Sequence, residues 1–466
     1  MTLRVIPIAI AVIAAAAAAG VYQAASPRSH PHADSKRGAG PTTPIGDPIG
    51  GKETETALAA HVSAAAGGFL NPSPAPTPAP SAEALERAAD YSESHSGRAM
   101  LVMKDGKVIF ERYARGWTAE RPHPLASGTK SFAGITAAAA LTDGLVSLDE
   151  YVADTIAEWK ADPRASRITV RQLLQLTSGL EPNSELLGRQ GYGIRDLGRV
   201  SNLAGALHGG PAERAPENWY AAVVKVPVTR EPGTAFRYGA SHFYAWGEFL
   251  SRKLASSDRP ERSYWQYMRA RVLEPAGLDF AKSRFALDQA GNPNLPGGAH
   301  LTAREWAAFG DFVRRGCAVR NTVQAGRDNQ DDGGDAGGEQ WSPVIDREAL
   351  EQCFVGSAAN PQYGLTWWLL TGADGSVAQT ADEGVSRRGL LRRLRGGGQR
   401  QAGGQTEAVR DANGTLVKAV MAAGAGKQRL YLLPEQGMVV VRLAEMTQAG
   451  QDFSDPEFLR LLLDVR

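Results

Sequence analysis

Cysteine is nearly absent. The chain has 466 residues and only two cysteines, Cys317 and Cys353. That excludes a disulfide-dense scaffold and a cysteine-rich metal fold. One bridge between the two, or two buried free thiols, both fit so sparse a pattern. Histidine is scattered over eight positions, three of which, His30, His32 and His61, fall in a stretch poor in apolar periodicity. No Cys/His spacing matches a zinc site, so no metal is expected. Net charge is also nearly absent, at +1, which indicates no nucleic-acid partner. The basic run from Arg387 to Arg395 reads as a solvated loop. There is no G-x-S-x-G elbow, no Walker A pattern and no dinucleotide fingerprint, since Gly424-Ala425-Gly426 lacks the third glycine. Those absences disfavour an α/β-hydrolase, a P-loop enzyme and a nucleotide-cofactor enzyme. No cofactor is implied.

The N-terminus carries what the rest lacks, a long apolar run. Arg4 precedes Val5 to Ile13 and an alanine run to Ala19. A positive residue, an apolar stretch and a small-residue site read as an export signal over residues 1–25. The segment is close to the minimum for a spanning helix, so an uncleaved membrane tether stays open as the alternative to a cleaved leader. Either implies an exported protein, periplasmic or anchored in the inner membrane facing the periplasm. Residues 26–81 are rich in Pro, Ala, Gly and Ser. Such composition buries little apolar surface and favours an extended linker.

A catalytic domain is expected over residues 82–466. Ala84 to Tyr91 reads as a helix. Ala99–Met103 and Val108–Tyr113 flank Asp105-Gly106, a strong type I′ hairpin signal. Near the C-terminus, 416–421, 429–433 and 438–443 read as strands, and 456–465 as a closing helix with proline in its first turn. Strands at both ends with mainly helical sequence between them predict an α/β (α+β) fold: one antiparallel sheet built from both termini, flanked by helices, with an inserted helical region. Residues 321–340 and 383–413, rich in Gly with Asp or Arg, interrupt that order and read as surface insertions.

The chemistry centres on Ser127-Gly128-Thr129-Lys130, followed by an apolar run to Leu141. A serine before a helical run is an N-cap candidate, and a capped helix with a surface lysine accounts for it structurally. Positions i and i+3 also share a helix face, so Lys130 can touch Ser127. A serine hydroxyl attacks only if a neighbour takes its proton. A lysine can do so when neutral, and burial beside an apolar helix favours the neutral form. S-x-x-K is a known signature of this nucleophile–base pair.

Downstream lie Ile168 to Leu180, containing Thr177-Ser178-Gly179, then Glu231-Pro232-Gly233-Thr234 with Phe236 and Tyr238. Gly298 to Arg304 and Tyr363 to Trp368 follow. From Ala99 onward, apart from the insertions, these segments resemble the family of class C β-lactamases, D-alanyl-D-alanine carboxypeptidases, family VIII-type esterases and 6-aminohexanoate-oligomer hydrolases. The resemblance implies that Tyr238 shares the proton work with Ser127 and Lys130. A buried aromatic with a satisfied hydroxyl is the structural alternative. The family's asparagine two residues later is absent, because Ala240 stands there. Its third motif, Lys-Thr-Gly or His-x-Gly, is best matched by Ala422 to Tyr431, where only Gly424 survives. Without its cation a β-lactam carboxylate loses its usual partner. By the family pattern the backbone N–H groups of Ser127 and Ala425 form the oxyanion hole. Gly424, Tyr192, His242 and Trp367 are candidates for lining the substrate cleft, and His300 falls near a family motif.

The reading is a serine hydrolase acting on a small ester or linear amide, esterase- or oligomer-hydrolase-like. A peptidoglycan D,D-carboxypeptidase or weak β-lactamase is the enzymatic alternative. A non-catalytic cell-envelope binding protein on the same scaffold is the other.

Overall fold

Two positive backbone angles open the domain's sheet. Asp105 has φ 50° and Gly106 φ 79°, the pair a type I′ turn requires. They join β1 (Gly97–Lys104) to β2 (Lys107–Tyr113) as an antiparallel hairpin. Before it comes helix α1 (Ala82–Ser94), capped by the Ser81 hydroxyl, which accepts from Ala84 N–H. The computed structural model describes residues 78–188, 217–278, 284–320, 341–370, 409, 417–445, 447 and 452–465. The chain divides into two units, Met1–Glu55 and Thr56–Arg466, and every described residue belongs to the second. The apolar leader, the linker as far as residue 77, Tyr192, the basic run at 387–395 and both insertions lie outside the described residues, Val409 excepted.

After β3 (His123–Pro124) a 3₁₀ turn, Ala126–Lys130, leads into helix α2 (Ser131–Thr142). Helices α3 (Val170–Leu174) and α4 (Ser241–Ala255) follow. Strands β4 (Arg284–Phe285) and β5 (Ala299–Leu301) join β3 in a small sheet of order β3-β5-β4. Helix α5 (Ala303–Arg314) precedes β6 (Ala318–Arg320), β7 (Trp341–Pro343) and β8 (Trp368–Leu369). The chain ends with β9 (Val420–Gly424), β10 (Gln428–Leu433), β11 (Met438–Ala444) and α6 (Asp455–Leu463).

The main sheet has six strands in the order β2-β1-β11-β10-β9-β8. The N-terminal hairpin thus pairs with the C-terminal meander through β1 and β11, antiparallel throughout. This is the mixed α/β fold that the two strand-rich ends implied. Every residue of β10 and β11 is buried, because helices cover both faces. On one face Leu430, Leu432 and Val439 press on Gly310 of α5, where a Cβ would lie within 3.2 Å of each. On the other, Tyr431 stacks on Phe458 of α6 and Arg429 pairs with Asp455. Strands buried on both faces read as near-continuous apolar runs, as Met438 to Val441 does.

The strand expected at 416–421 is displaced to Val420–Gly424. Its register with β10 sets the end: Gly424 faces Gln428, leaving residues 425–427 as the loop. Cys317 and Cys353 are both buried free thiols, with burial pushing each above its ordinary pKa.

Candidate active site

Serine 127 is not a helix N-cap. It lies inside the 3₁₀ turn Ala126–Lys130, and α2 begins only at Ser131. With three residues per turn, side chains at i and i+3 eclipse. Lys130 therefore stands directly over Ser127, and its Nζ donates to Ser127 Oγ at 2.9 Å.

The turn is held from three sides. Thr129 Oγ1 donates to the Ala126 carbonyl at 2.7 Å and accepts from Ala299 N–H at 3.1 Å. Leu125 N–H donates to the Ala299 carbonyl at 2.9 Å, so β5 backs the turn. Trp306 of α5 fills the space beside Gly128, where a Cβ would sit 2.8 Å from the indole. Ala126 itself has φ 48°, a left-handed conformation costing a non-glycine residue about 1–3 kcal/mol. Such strain persists only where its surroundings over-determine it, and it falls next to Ser127.

Lys130 is 5% exposed. Besides Ser127, its Nζ donates to the Pro296 carbonyl at 2.7 Å. The nitrogen lies 4.9 Å from the ring centre of Tyr238 and 5.3 Å from that of Phe243. The structure thus brings Ser127 and Lys130 together with Tyr238, from two segments far apart in sequence. Tyr238 belongs to an aromatic group with Phe236, Tyr363 and Trp368, and its ring stacks on Trp368 at 5.8 Å.

The loop carrying Tyr238 is interlocked with Thr177-Ser178-Gly179. Arg237 N–H donates to the Leu176 carbonyl at 2.9 Å, and Gly233 N–H to that of Thr177 at 2.8 Å. Gly179, at φ 80°, approaches so closely that a Cβ would lie 2.2 Å from the Arg230 carbonyl oxygen. Asn183, exposed, spans the Tyr238–Ala240 turn by accepting from Ala240 N–H at 3.2 Å.

Gly424 and Ala425 reach the same place from the sheet. A Cβ on Gly424 would sit 2.0 Å from the Leu125 carbonyl oxygen and 3.1 Å from Gly128 N. Only a residue without a side chain lets β9 run this close to the Ser127 turn. Ala425 is half-exposed between buried neighbours.

Two expectations are corrected. His242 does not line a cleft. It is buried, with Nε2 donating to the Arg237 carbonyl at 2.9 Å and Nδ1 accepting from Ser178 Oγ at 2.9 Å, the tautomer that a carbonyl partner imposes. Burial pushes its pKa down to about 4. It fastens Ser178 to the Tyr238 loop. Trp367 is also in the core, against Phe309 and Phe354. Its neighbour Trp368 meets Tyr238 instead, because successive strand residues face opposite ways. His300 is buried on β5, with Nδ1 against the Gly298 carbonyl. Tyr192 lies outside the described residues. Trp368, Pro296 and Asn183 are the contacts that sequence reasoning missed. For Pro296, a backbone acceptor, the sequence holds no signal.

A family model described as Beta-lactamase matches residues 82–464. A D-stereospecific amidohydrolase from Streptomyces sp. superposes with a TM-score of 0.52 at 13% identity, covering 82% of this chain and 98% of that one. An octameric penicillin-binding protein homologue from Pyrococcus abyssi gives 0.50 at 16% identity, covering 82% and 77%. At these identities the likeness to solved structures is one of fold. No curated protein sequence matches the chain. The six-stranded sheet, the Ser-x-x-Lys turn at its β9 end and a family match over more than four-fifths of the residues agree: the chain belongs to the Beta-lactamase family of hydrolases.

Proposed function

We propose that the protein is a serine hydrolase that cleaves a small ester or linear amide through an acyl-enzyme on Ser127. The observation that carries this is the 2.9 Å contact between Lys130 Nζ and Ser127 Oγ, in a nearly buried site. With the amine neutral, one N–H rests on the Pro296 carbonyl and the lone pair faces the serine hydroxyl. Ser127 Oγ attacks the substrate carbonyl carbon as its proton passes to Lys130. The tetrahedral oxyanion meets the backbone N–H groups of Ser127 and Ala425. The alcohol or amine leaves with the proton, handed over by Lys130 with Tyr238 as relay. Water then adds to the acyl carbon, loses a proton to the same base, and frees the acid and Ser127.

The third motif supports an ester or linear amide over a β-lactam. Lys427 is the nearest cation in sequence, but it is buried and its charge acts on Asp455, behind the sheet. The Arg4-led apolar segment supports export, with a cleaved leader or a membrane tether.

Short p-nitrophenyl esters test the reading. Ser127→Ala should abolish turnover, and Lys130→Ala should lower kcat by about 10²- to 10⁴-fold, the usual worth of a general base. Turnover that survives Ser127→Ala would assign the nucleophile elsewhere.

A further inference from the structure

A short hairpin loop can leave its carbonyls to water. In and beside the β9–β10 loop, three carbonyls are bonded to buried side chains instead. The Gly424 carbonyl accepts from Arg429 Nη1 at 3.3 Å, and the Ala425 carbonyl from Gln428 Nε2 at 3.3 Å. The Lys427 carbonyl accepts from Arg442 Nη1 at 2.7 Å. All three donor side chains are fully buried.

Each donor is itself anchored at its far side. Arg429 meets Asp455 with two hydrogen bonds, Nε to Oδ1 at 2.7 Å and Nη2 to Oδ2 at 3.2 Å, and the Tyr431 hydroxyl donates to the same carboxylate. Burial would raise the Asp455 pKa, but Arg429 beside it holds the carboxyl below its ordinary value. Gln428 exchanges both amide bonds with Ala444 of β11, at 2.7 and 2.8 Å. Arg442 donates to Ser92 Oγ and to the His95 carbonyl, with Phe453 stacked 3.9 Å away. Two buried guanidiniums are an expensive way to hold a sheet to its helices, since apolar residues of similar volume do so as well or better. Their placement calls for another reason.

The peptide plane gives one. In a trans peptide the C=O and the N–H of the next residue point to opposite edges of one rigid plane. Arg429 Nη1, shared between the Gly424 carbonyl and the Gln428 carbonyl at 3.1 Å, holds one edge of the Gly424–Ala425 peptide, and so directs the Ala425 N–H to the opposite edge. Gly424 at that point abuts the Leu125–Gly128 turn.

We infer that Arg429, anchored by Asp455, is a positioning residue that sets the direction of the Ala425 N–H, with Gln428 and Arg442 holding the rest of the loop. The inference rests on the acyl-enzyme reading above, in which that N–H receives the oxyanion. The clamp acts through the loop and touches no substrate.

The test compares p-nitrophenyl esters with their thiono analogues, whose sulfur fits an oxyanion hole poorly. It is run on the full chain and on Ser127→Ala, Arg429→Met, Arg429→Lys and Asp455→Asn. Arg429→Met should lower kcat about 10- to 100-fold, part of the worth of one donor. KM should stay within about twofold, as for an interaction made only in the transition state. The oxo-to-thiono preference should shrink with kcat, and Arg429→Lys should recover part of both. A structural role alone would lower the folded fraction and leave that preference at the wild-type value. A folded Arg429→Met with wild-type kcat and preference would overturn the inference. If Arg429→Met does not fold, a folded Asp455→Asn with unchanged preference overturns it equally. Turnover that survives Ser127→Ala would overturn the Ser127 reading, and the clamp with it.

Discussion

In the proposed route, Lys130 shows how little separates a structural residue from a chemical one. On the surface of an α-helix it would be one more solvated cation. Inside a 3₁₀ turn it eclipses Ser127, and the Pro296 carbonyl fixes its other side. His242 makes the converse point. It falls near a family motif, yet both ring nitrogens are used to join Ser178 to the Arg237 carbonyl. Its folded pKa of about 4 lies below the ordinary 6.5, because burial disfavours the charged ring. At pH above 6.5 both folded and unfolded chains hold it neutral, and the stability is fully present. Between pH 6.5 and 4 the unfolded chain binds the proton and the folded one does not, so stability falls as the solution is acidified. The full loss from this group is on the order of 3 kcal/mol. His123, pushed by burial to about 3, acts in the same direction and remains in a His242 variant. His242→Gln should therefore flatten, but not abolish, the fall in Tm between pH 6.5 and 4. Equal slopes for the two proteins would contradict the neutral, buried histidine.

At the scale of elements, the candidate site lies where the 3₁₀ turn leading into helix α2 meets strand β9. The run from Ser131 to Ala140 is buried all round, which is why it shows no amphipathic stripe in the sequence. Strand β9 meets the turn at Gly424, with no room for a methyl group. Gly424→Ala should push the Leu125–Gly128 turn aside and lower kcat on the order of a hundredfold, the cost of a misplacement near 1 Å. A Gly424→Ala protein with wild-type kcat would mean that β9 does not position the turn. The hairpin, the strands at 429–433 and 438–443 and the closing helix were legible, because Asp105-Gly106, the apolar runs and the proline start are local signals. The end of β9 was not, since it depends on its register with β10. The choice between Trp367 and Trp368 failed for a related reason. Alternation says that they face opposite ways, and only the tertiary placement of β8 says which one meets Tyr238.

At the scale of the molecule, two distant parts of the chain build one sheet, and the residues between them supply Ser127, Lys130 and Tyr238, to which the proposed acyl-enzyme route assigns the chemistry. The order of motifs in the sequence carried this much: Ser127 and Lys130, then Thr177 to Gly179, then Tyr238, then Gly424. The buried Arg429, Gln428 and Arg442 clamp was invisible, because charged and amide side chains in a strand read as an exposed face until the helix that covers them is placed. The central claim is that Ser127 forms a covalent acyl-type adduct. The most direct measurement is to treat the protein with a fluorophosphonate and map the modified peptide by mass. The account predicts one adduct, on Ser127, absent from Ser127→Ala and formed far more slowly on Lys130→Ala. An adduct on another residue, or none on folded wild-type protein, would contradict it.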